Sequence, residues 1–244
     1  FRRVLFRSIL KIMKYQGSKN RHAKDLLSVI LHNRKPNQYY VEPFCGGCNM
    51  IDKVEGNRIA NDSHKFLIDL FESVIYKNVN LPDSITDEEY NNIKNNKSNF
   101  PSYLVGFVGF GCSYSGKWFG GYARSIKGKV RNYCDESKRN ILKQSPYLKG
   151  VIFENKSYLD LDIPKDSIVY CDPPYENTTG YKSKFNHIEF WDWVRNISKK
   201  HQVFISEYNA PSDFICLWEK SVNNTLEKDT GKKKGVERLF TFNG

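Results

Sequence analysis

The chain has 244 residues, of which 39% are hydrophobic and 14% aromatic. This composition excludes a disordered or collagen-like chain, because enough apolar material is present for a folded core. A membrane-spanning helix needs about 18 consecutive apolar residues, and no stretch of the sequence approaches that pattern. The formal charge of +11 indicates either a polyanionic partner or a lysine-rich solvated surface.

The six cysteines set expectations about redox state and metal binding. They are too sparse for a disulfide scaffold, so we predict reduced thiols and a cytoplasmic protein. Cys45 and Cys48 have CxxC spacing, but no second ligand pair follows, and we predict no metal site. A redox role for this pair is the alternative interpretation.

Residues 1–12 require separate treatment. They precede the first methionine, Met13, and carry four basic and no acidic side chains. A transit peptide has this character, but the strongest local motif begins at Met13, so we expect a non-native extension. Without it the formal charge is +7.

Hydrophobic spacing and turn residues predict helices and strands in alternation. The helix predicted over 187–200, for example, places Ile188, Trp191, Val194 and Ile197 on one side. In chain order, the predicted elements are helix 19–33, strand 38–44, strand 58–61, helix 63–76, a polar helix that begins at the capping box Thr86-Asp-Glu-Glu89, a glycine- and aromatic-rich loop 111–129, helix 130–144, strands 151–154 and 167–171, helix 187–200, strand 203–206 and a β-rich segment from Phe214.

This alternation indicates an α/β fold with a largely parallel sheet covered by helices. The region 79–149 has few strand signals and many helix and loop signals. We therefore predict an insert at 79–149 within one α/β domain formed by 13–78 and 150–244.

The sharpest chemical signal is Asp172-Pro-Pro-Tyr175, which directly follows the predicted strand 167–171. Open α/β sheets bind ligands at the carboxyl ends of their strands. Pro173 and Pro174 lack backbone donors and stiffen the turn, which leaves Asp172 and nearby carbonyls as acceptors and Tyr175 as a flat face. Such a site suits a planar group with an NH₂: two acceptors hold its N–H bonds, and the ring stacks on the tyrosine. A proline-rich turn without chemistry is the alternative.

A glycine turn, Cys45-Gly-Gly-Cys48, follows the first predicted strand and would let a ligand approach the backbone closely. A second strand ends at Asp62, where an acid holds the ribose in Rossmann-like folds. Capping of the next helix is the alternative role for Asp62. The segment Met13-Lys-Tyr-Gln-Gly-Ser-Lys19 places a glycine between an aromatic residue and a lysine, and alone it carries little weight.

Together these segments resemble one family, the Dam-type DNA adenine methyltransferases, which use S-adenosylmethionine (SAM). Lys14-Tyr-Gln-Gly-Ser-Lys19 looks like the family's N-terminal motif, and Val41-Glu-Pro-Phe-Cys-Gly-Gly47 looks like its cofactor loop. Ala60-Asn-Asp62 looks like its ribose-binding acid, and Asp172-Pro-Pro-Tyr175 like its catalytic motif. The motifs follow the family's order, and the resemblance extends from residue 13 to about residue 240. Ser206-Glu-Tyr-Asn209 is similar to a later motif of the family.

The resemblance implies a Rossmann-like SAM-dependent methyltransferase sheet with a mainly helical DNA-recognition insert. It also implies transfer of the SAM methyl group to the 6-amino group of adenine in double-stranded DNA. The adenine must be flipped out, because its amine cannot meet the methyl group inside a duplex. The implied cofactor-binding residues are Tyr15, Lys19, Phe44, Gly46, Asp62 and Asp172, and the implied catalytic residues are Asp172, Pro173, Pro174 and Tyr175.

One position departs from the family pattern. The commoner cofactor loop reads Phe-x-Gly-x-Gly, and Cys48 occupies the last glycine position here. A turn shifted by one residue would explain Gly47 and Cys48 together, so the roles of these two residues stay open.

The loop 111–124 and the basic helix after it are expected to contact DNA. Basic side chains would neutralise phosphates, an aromatic ring such as that of Phe119 would wedge against bases, and Arg124 would read a guanine. Residues 116–149 hold nine basic and two acidic side chains, which accounts for the entire +7 of residues 13–244. An aromatic packing cluster with solvated basic residues is the alternative. The expected DNA-binding residues are Lys117, Trp118, Tyr122, Arg124, Lys127 and Lys129.

Other functions stay open at this point. A methyltransferase acting on a cytosine amine, RNA or a protein glutamine would use a similar acidic-Pro-Pro-aromatic motif, and a non-catalytic DNA-binding relic is a further alternative. The resemblance makes GATC, or a shorter part of it, the first expectation for the recognition site. It also implies a monomer or weak dimer in a bacterial or phage-infected cell, in a restriction-modification or related setting.

Overall fold

The computed structural model describes residues 12–124, 131–175, 185–223 and 234–244. The strands in these ranges are β1 (Tyr40–Glu42), β2 (Arg58–Asn61), β3 (Val151–Glu154), β4 (Ile168–Cys171), β5 (Gln202–Glu207), β6 (Phe214–Asn223) and β7 (Lys234–Phe242). The α-helices are α1 (Ala23–Ile30), α2 (Lys65–Tyr76), α3 (Asp87–Asn95), α4 (Ser102–Gly106), α5 (Tyr133–Leu148) and α6 (His187–Ser198).

Some predicted features lie outside these ranges, namely residues 1–11 of the expected extension and the candidate DNA-binding residues Lys127 and Lys129. Among the helices that are described, none combines the length and the apolar character needed to cross a bilayer.

The described strands form one seven-stranded sheet with the order β3-β2-β1-β4-β5-β7-β6. The five strands from β3 to β5 are parallel, and β7 runs antiparallel to both β5 and β6. An order of 3-2-1-4-5 among parallel strands is that of Rossmann-like sheets, and it reverses between β1 and β4. The predicted α/β, Rossmann-like fold class is therefore confirmed.

Side chains of the central strands alternate between two cores, one on each face of the sheet. Tyr40 and Tyr170 point into the core that contains residues of α1 and α2, whereas Val41 and Val169 point into the core that contains residues of α6. Because both faces are covered, a strand such as β4 is buried at every position. This explains why β4 is a short apolar run in the sequence.

The region predicted as an insert, 79–149, is mainly helical where it is described. Its helix α3 begins with the predicted capping box: Thr86 Oγ1 accepts from the Glu89 N–H, and the Glu89 carboxylate accepts from the Thr86 N–H. Helix α4 lies so close to α2 that a Cβ on Gly106 would be 2.0 Å from the carbonyl oxygen of Phe66. The insert therefore shares the core of α2, and its boundaries as a separate domain stay a prediction.

Helix α5 continues past the predicted end at Gln144 to Leu148, although Pro146 lies in its last turn. Proline has no N–H to donate to the carbonyl four residues earlier, that of Leu142. The hydroxyl of Ser145 donates to this carbonyl at 3.1 Å. The helix can therefore include the proline without leaving that acceptor unpaired.

The predicted apolar face of α6 is wrong at one residue. Ile188 is 77% exposed, whereas the helix buries Phe190, Trp191 and Val194. The ring of Phe190 packs edge-on against Phe44 from the loop after β1, with centroids 5.8 Å apart. The stripe containing Phe190 and Val194, four residues apart, therefore faces the sheet.

Candidate active site

The carboxyl ends of β1, β4 and β5 bring the predicted motifs to one edge of the sheet. The glycine loop follows β1, Asp172 follows β4, and Tyr208 follows β5. Strands β1 and β4 are neighbours where the strand order reverses, so their loops flank the crevice in which open α/β sheets bind ligands. Strand β7 runs the opposite way, so its first residues, including Glu237, reach the same edge.

Asp172 faces the buried ammonium of Lys19, a residue of the N-terminal motif. Lys19 Nζ lies 3.2 Å from Asp172 Oδ1 and 3.5 Å from Glu237 Oε2. Burial acts to lower the pKa of Lys19, but the two carboxylates outweigh it and raise that pKa. Burial raises the pKa of Asp172, the Lys19 ammonium opposes this shift, and Glu237 adds to it. Two carboxylates thus share one ammonium, and the trio keeps an excess negative charge.

The ring of Tyr175 packs on this trio. Lys19 Nζ lies over the ring, 4.3 Å from its centroid, and the Tyr175 hydroxyl donates to Glu237 Oε2 at 3.2 Å. The ring of Tyr208 meets that of Tyr175 edge-on, with centroids 4.7 Å apart. Burial raises the pKa of Tyr175 well above its usual value, so its hydroxyl stays protonated and can donate.

Glu237 is a site residue that the sequence does not single out. The rule used for prediction directs attention to the carboxyl ends of parallel strands, whereas Glu237 lies near the start of an antiparallel strand. The available signal is the alternation within β7. Glu237 shares a strand face with Leu239, which is fully buried, so a carboxylate stands on the core-facing side of the strand.

The glycine loop has two left-handed residues. Gly46 and Cys48 have φ values of +47° and +54°, and they occupy the two glycine positions of the Phe-x-Gly-x-Gly pattern. Gly47 does not have a positive φ, but a Cβ there would lie 2.7 Å from Tyr15 Cβ. The turn is therefore not shifted, and Cys48 adopts the conformation that favours glycine.

This strain predicts an unusual order of stability for two variants. Cys48→Gly and Cys48→Ala both remove a fully buried thiol, but only the glycine variant removes the Cβ from a left-handed residue. We expect Cys48→Gly to be more stable than Cys48→Ala by about 1 kcal/mol in urea unfolding. A residue with negative φ gives the reverse order, so a more stable alanine variant would contradict the strained turn.

The carboxylate of Asp62 connects the glycine loop to the start of α2. Its Oδ2 accepts from the Gly46 N–H at 3.1 Å, and its Oδ1 accepts from the His64 N–H at 2.9 Å. Helix α2 begins one residue later, at Lys65, so Asp62 closes a turn before the helix and does not cap its first turn. Burial raises the pKa of Asp62 despite these two bonds. Each carboxylate oxygen retains a lone pair that a hydroxyl donor can use.

Gln144 of α5 forms hydrogen bonds with the backbone of the glycine loop. Its side chain is 1% exposed, and its Nε2 lies 3.1 Å from the Gly47 carbonyl, 3.2 Å from the Cys48 carbonyl and 3.0 Å from Asp52 Oδ2. Its Oε1 accepts from the Met13 N–H at 3.3 Å. The glycine loop, the N-terminal motif and the insert helix therefore meet at one carboxamide.

The side chains at this edge fit the cofactor that the sequence resemblance implies. Phe44 packs against Tyr158 and Phe185 with ring centroids 5.2 and 5.8 Å away, which forms an aromatic surface suited to an adenine ring. The oxygens of Asp62 suit ribose hydroxyls, and the negative charge around Asp172 suits a positively charged sulfur. These side chains therefore fit the adenine, the ribose and the charged sulfur of SAM.

The loop 111–124, named the recognition loop here after its predicted role, lies against the N-terminal motif. The Gly116 carbonyl accepts from the Gln16 N–H at 3.4 Å, and a Cβ on Gly116 would be 2.5 Å from the Lys14 carbonyl oxygen. Of its candidate basic residues, Lys117 is exposed, and the exposed guanidinium of Arg124 pairs with Asp87 at the start of α3.

The aromatic residues of this loop differ in exposure. Trp118 is half-buried and stacks on Phe66, with centroids 5.5 Å apart, and Phe119 is 8% exposed. Tyr122 is half-buried, and its hydroxyl donates to a backbone carbonyl at 2.6 Å. Tyr114, which the sequence does not single out, is 68% exposed. The rings of Trp118 and Phe119 thus belong to the protein's own packing, and DNA contact by Trp118 and Tyr122 stays a prediction.

The CxxC pair has the character of structural thiols. Cys45 and Cys48 are buried, and burial raises the pKa of both thiols, which opposes the redox interpretation. Within the four described ranges, no group of three or more His, Cys, Asp or Glu side chains is arranged to hold a metal ion.

Comparisons with known proteins at the levels of structure and of sequence give the following similarities. The chain is similar to a solved structure described as "SMU.472, a putative methyltransferase complexed with SAH", with 10% identity and a TM-score of 0.39. The match covers 93% of this chain and 53% of the other, so the chain spans about half the length of that protein. Residues 15–106 match the sequence model of the D12 class N6 adenine-specific DNA methyltransferases, a segment that contains Tyr15, Lys19, the glycine loop and Asp62. The predicted resemblance to adenine-specific DNA methyltransferases is therefore confirmed over residues 15–106, where the chain carries the sequence pattern of the D12 class.

Proposed function

We propose that this protein is a SAM-dependent DNA methyltransferase that methylates the 6-amino group of adenine. The observation that carries the proposal is the position of Asp172-Pro-Pro-Tyr175 beside the glycine loop, where the strand order reverses between β1 and β4. The match of residues 15–106 supports adenine in DNA as the target. We propose that it acts as a monomer or weak dimer in the cytoplasm of a bacterial or phage-infected cell.

The proposed mechanism depends on positioning and electrostatics and needs no nucleophilic side chain. When bound, SAM supplies an electrophilic methyl group on a positively charged sulfur. Asp172 and the carbonyl of Pro173 accept hydrogen bonds from the two N–H groups of the adenine amine. These bonds direct the nitrogen lone pair at the methyl carbon. Pro174 stiffens the turn that holds these acceptors. The new N–C bond would form as the S–C bond breaks with its electron pair left on the sulfur, and the amine would release one proton to the Asp172 carboxylate or to solvent.

Tyr175 is proposed to fix the plane of the flipped adenine. The Lys19 ammonium covers one face of its ring, so the base would stack on the opposite face. The residues proposed to hold SAM are Tyr15, Lys19, Phe44, Gly46 and Asp62. Their positions around the glycine loop and Asp172 support this assignment.

The recognition loop is proposed to contact double-stranded DNA. Lys117 and Arg124 are exposed on it, and its contact with the N-terminal motif places it beside the cofactor loop. Trp118 and Tyr122 would act mainly by shaping this surface, and the exposed ring of Tyr114 is better placed to reach a base. Lys127 and Lys129, which lie outside the described residues, are also proposed to contact DNA.

Removal of one phosphate contact is expected to change the salt dependence of DNA affinity measurably. We expect Lys117→Ala to weaken binding similarly for all duplexes and to lower the slope of log K against log salt by about one unit. Lys165→Ala is the matched control, because this exposed lysine precedes β4 and lies at the opposite edge of the sheet. Fluorescence anisotropy over a salt series measures both slopes, and equal slopes for the two variants would contradict the proposed surface.

The proposed function is tested by incubating the purified protein with SAM and unmethylated plasmid DNA and mapping methyladenine by single-molecule sequencing. Methyladenine at one recurring sequence, with GATC or part of it as the first expectation, is the supporting result. Methylcytosine, or methylation of RNA or protein instead, would replace the proposed substrate. The absence of both methyl transfer and calorimetric SAM binding would favour a DNA-binding relic.

A further inference from the structure

We propose that Glu237, near the start of the last strand, is a positioning residue of the active site that shares the Lys19 ammonium and so keeps Lys19 from pairing with Asp172 alone. This inference rests on the proposed function and extends it to a residue outside the recognised motifs. Its basis is the direct contact of one carboxylate with two predicted site residues: 3.5 Å to Lys19 Nζ and 3.2 Å to the Tyr175 hydroxyl.

The topology explains how a C-terminal strand reaches this site. Arg238 is in register with Glu207, the last residue of β5, so Glu237 lies just beyond the carboxyl end of the parallel strands. Its side chain is 18% exposed, compared with 7% for Lys19 and 22% for Asp172. The three charges are therefore shielded together, where their interactions are stronger than at the surface.

The functional argument concerns the competition for Asp172. The proposed reaction needs this carboxylate to accept an N–H bond from the adenine amine, but Lys19 Nζ already lies 3.2 Å from its Oδ1. Because Glu237 also pairs with the ammonium, it weakens the interaction of Lys19 with Asp172. Its negative charge also makes Asp172 more basic, and a more basic carboxylate is a stronger hydrogen-bond acceptor.

The surroundings of Asp172 make this effect measurable as a pH dependence. The groups that interact with it are Lys19 from the N-terminal motif, Tyr175 from its own turn, Glu237 from β7, Glu42 from β1, Tyr170 and Cys171 from β4, and Tyr208 from the loop after β5. Glu237 adds to the rise in the pKa of Asp172, so removal of its charge lowers that pKa. Methyl transfer requires ionised Asp172, so in the variant the rate falls at a lower pH than in the wild type.

The test uses Glu237→Gln, which keeps the size of the side chain and its capacity to accept from Tyr175 but removes the charge. We expect the single-turnover methyl-transfer rate to fall about tenfold at neutral pH, with SAM and DNA affinities changed by less than about twofold. The acid limb of the pH–rate profile should move to lower pH. Glu219→Gln is the matched control, because this exposed carboxylate pairs with Arg238 on the same hairpin.

A second readout does not require activity. The carboxyl ¹³C resonance of Asp172, followed by NMR in the cofactor-free protein, should titrate at lower pH in Glu237→Gln than in Glu219→Gln. If the wild type methylates adenine but Glu237→Gln matches Glu219→Gln in rate, pH profile and titration, the inference about Glu237 is wrong and the proposed function stands. If the wild type transfers no methyl group, the proposed function fails, and with it the role of Glu237 in catalysis. Loss of folding in Glu237→Gln, seen as a collapsed NMR spectrum, would show a structural role and overturn the inference.

Discussion

Replacement of Asp172 by alanine is expected to lower the single-turnover rate of methyl transfer by roughly a hundredfold to a thousandfold. The alanine variant loses the acceptor that is proposed to hold the adenine amine, and it leaves Lys19 paired with Glu237 as its only carboxylate. Asp172→Asn keeps one acceptor oxygen but loses the charge, so we expect an intermediate rate. Transfer of a labelled methyl group from SAM to an oligonucleotide duplex measures all three proteins.

The control for this prediction is Asp162→Ala, which removes a fully exposed carboxylate from the segment before β4. It should retain the wild-type rate. Thermal unfolding of each variant separates a chemical effect from a loss of folded protein. A wild-type rate in Asp172→Ala would contradict the proposed reaction at this site.

Among the variants proposed here, Gln144→Leu is expected to lower the stability of the fold most. It is also expected to weaken the binding of SAM. Leucine fills a similar volume but forms no hydrogen bond, so the Gly47 carbonyl and the Met13 N–H lose this buried partner, whereas the Cys48 carbonyl keeps the Asp52 N–H and the Asp52 carboxylate keeps Lys53. Each buried polar group left unpaired costs about 1–3 kcal/mol, and we expect a total loss of about 3 kcal/mol and a fall in melting temperature of roughly 10 °C. Because the glycine loop is then unsupported, SAM should bind about tenfold more weakly, which corresponds to about 1.4 kcal/mol.

Lys143→Leu is the matched control for this variant, since it makes the same kind of replacement at the adjacent, exposed position of α5. Differential scanning fluorimetry and isothermal titration with SAM provide the two measurements. Equal melting temperatures and equal SAM affinities for the Gln144 and Lys143 variants would show that the carboxamide does not support the loop.

The sequence predicts the parallel part of the fold well, because buried parallel strands have a simple pattern. Strand β3 matches its predicted limits, and the end of β4 is marked by the change from apolar residues to Asp172. The same pattern predicts which loops meet at the reversal of strand order, so the glycine loop and Asp172 are brought together as expected. Patterns of neighbouring residues in the sequence are sufficient to predict these features.

The contributions of distant elements are harder to predict, as Gln144 and Glu237 show. On α5, the buried residues Ser137, Asn140 and Gln144 are polar, so their spacing suggests a solvated face when only hydrophobicity is counted. Their partners lie on the glycine loop and elsewhere, and only the folded chain brings these groups together. Glu237 is also hard to predict from the sequence. Its strand is antiparallel, so the amino end of that strand, and not its carboxyl end, lies at the site.

The unequal sharing of Lys19 by Asp172 and Glu237 has a consequence for product release. The trio carries one more negative than positive charge, and it lies where a sulfonium ion is proposed to bind. Methyl transfer converts that cation into a neutral thioether, so the attraction to the trio disappears in the step that completes the reaction. In the proposed reaction, the charges that favour binding of SAM would therefore not retain the demethylated product, so the product would leave more readily than SAM itself.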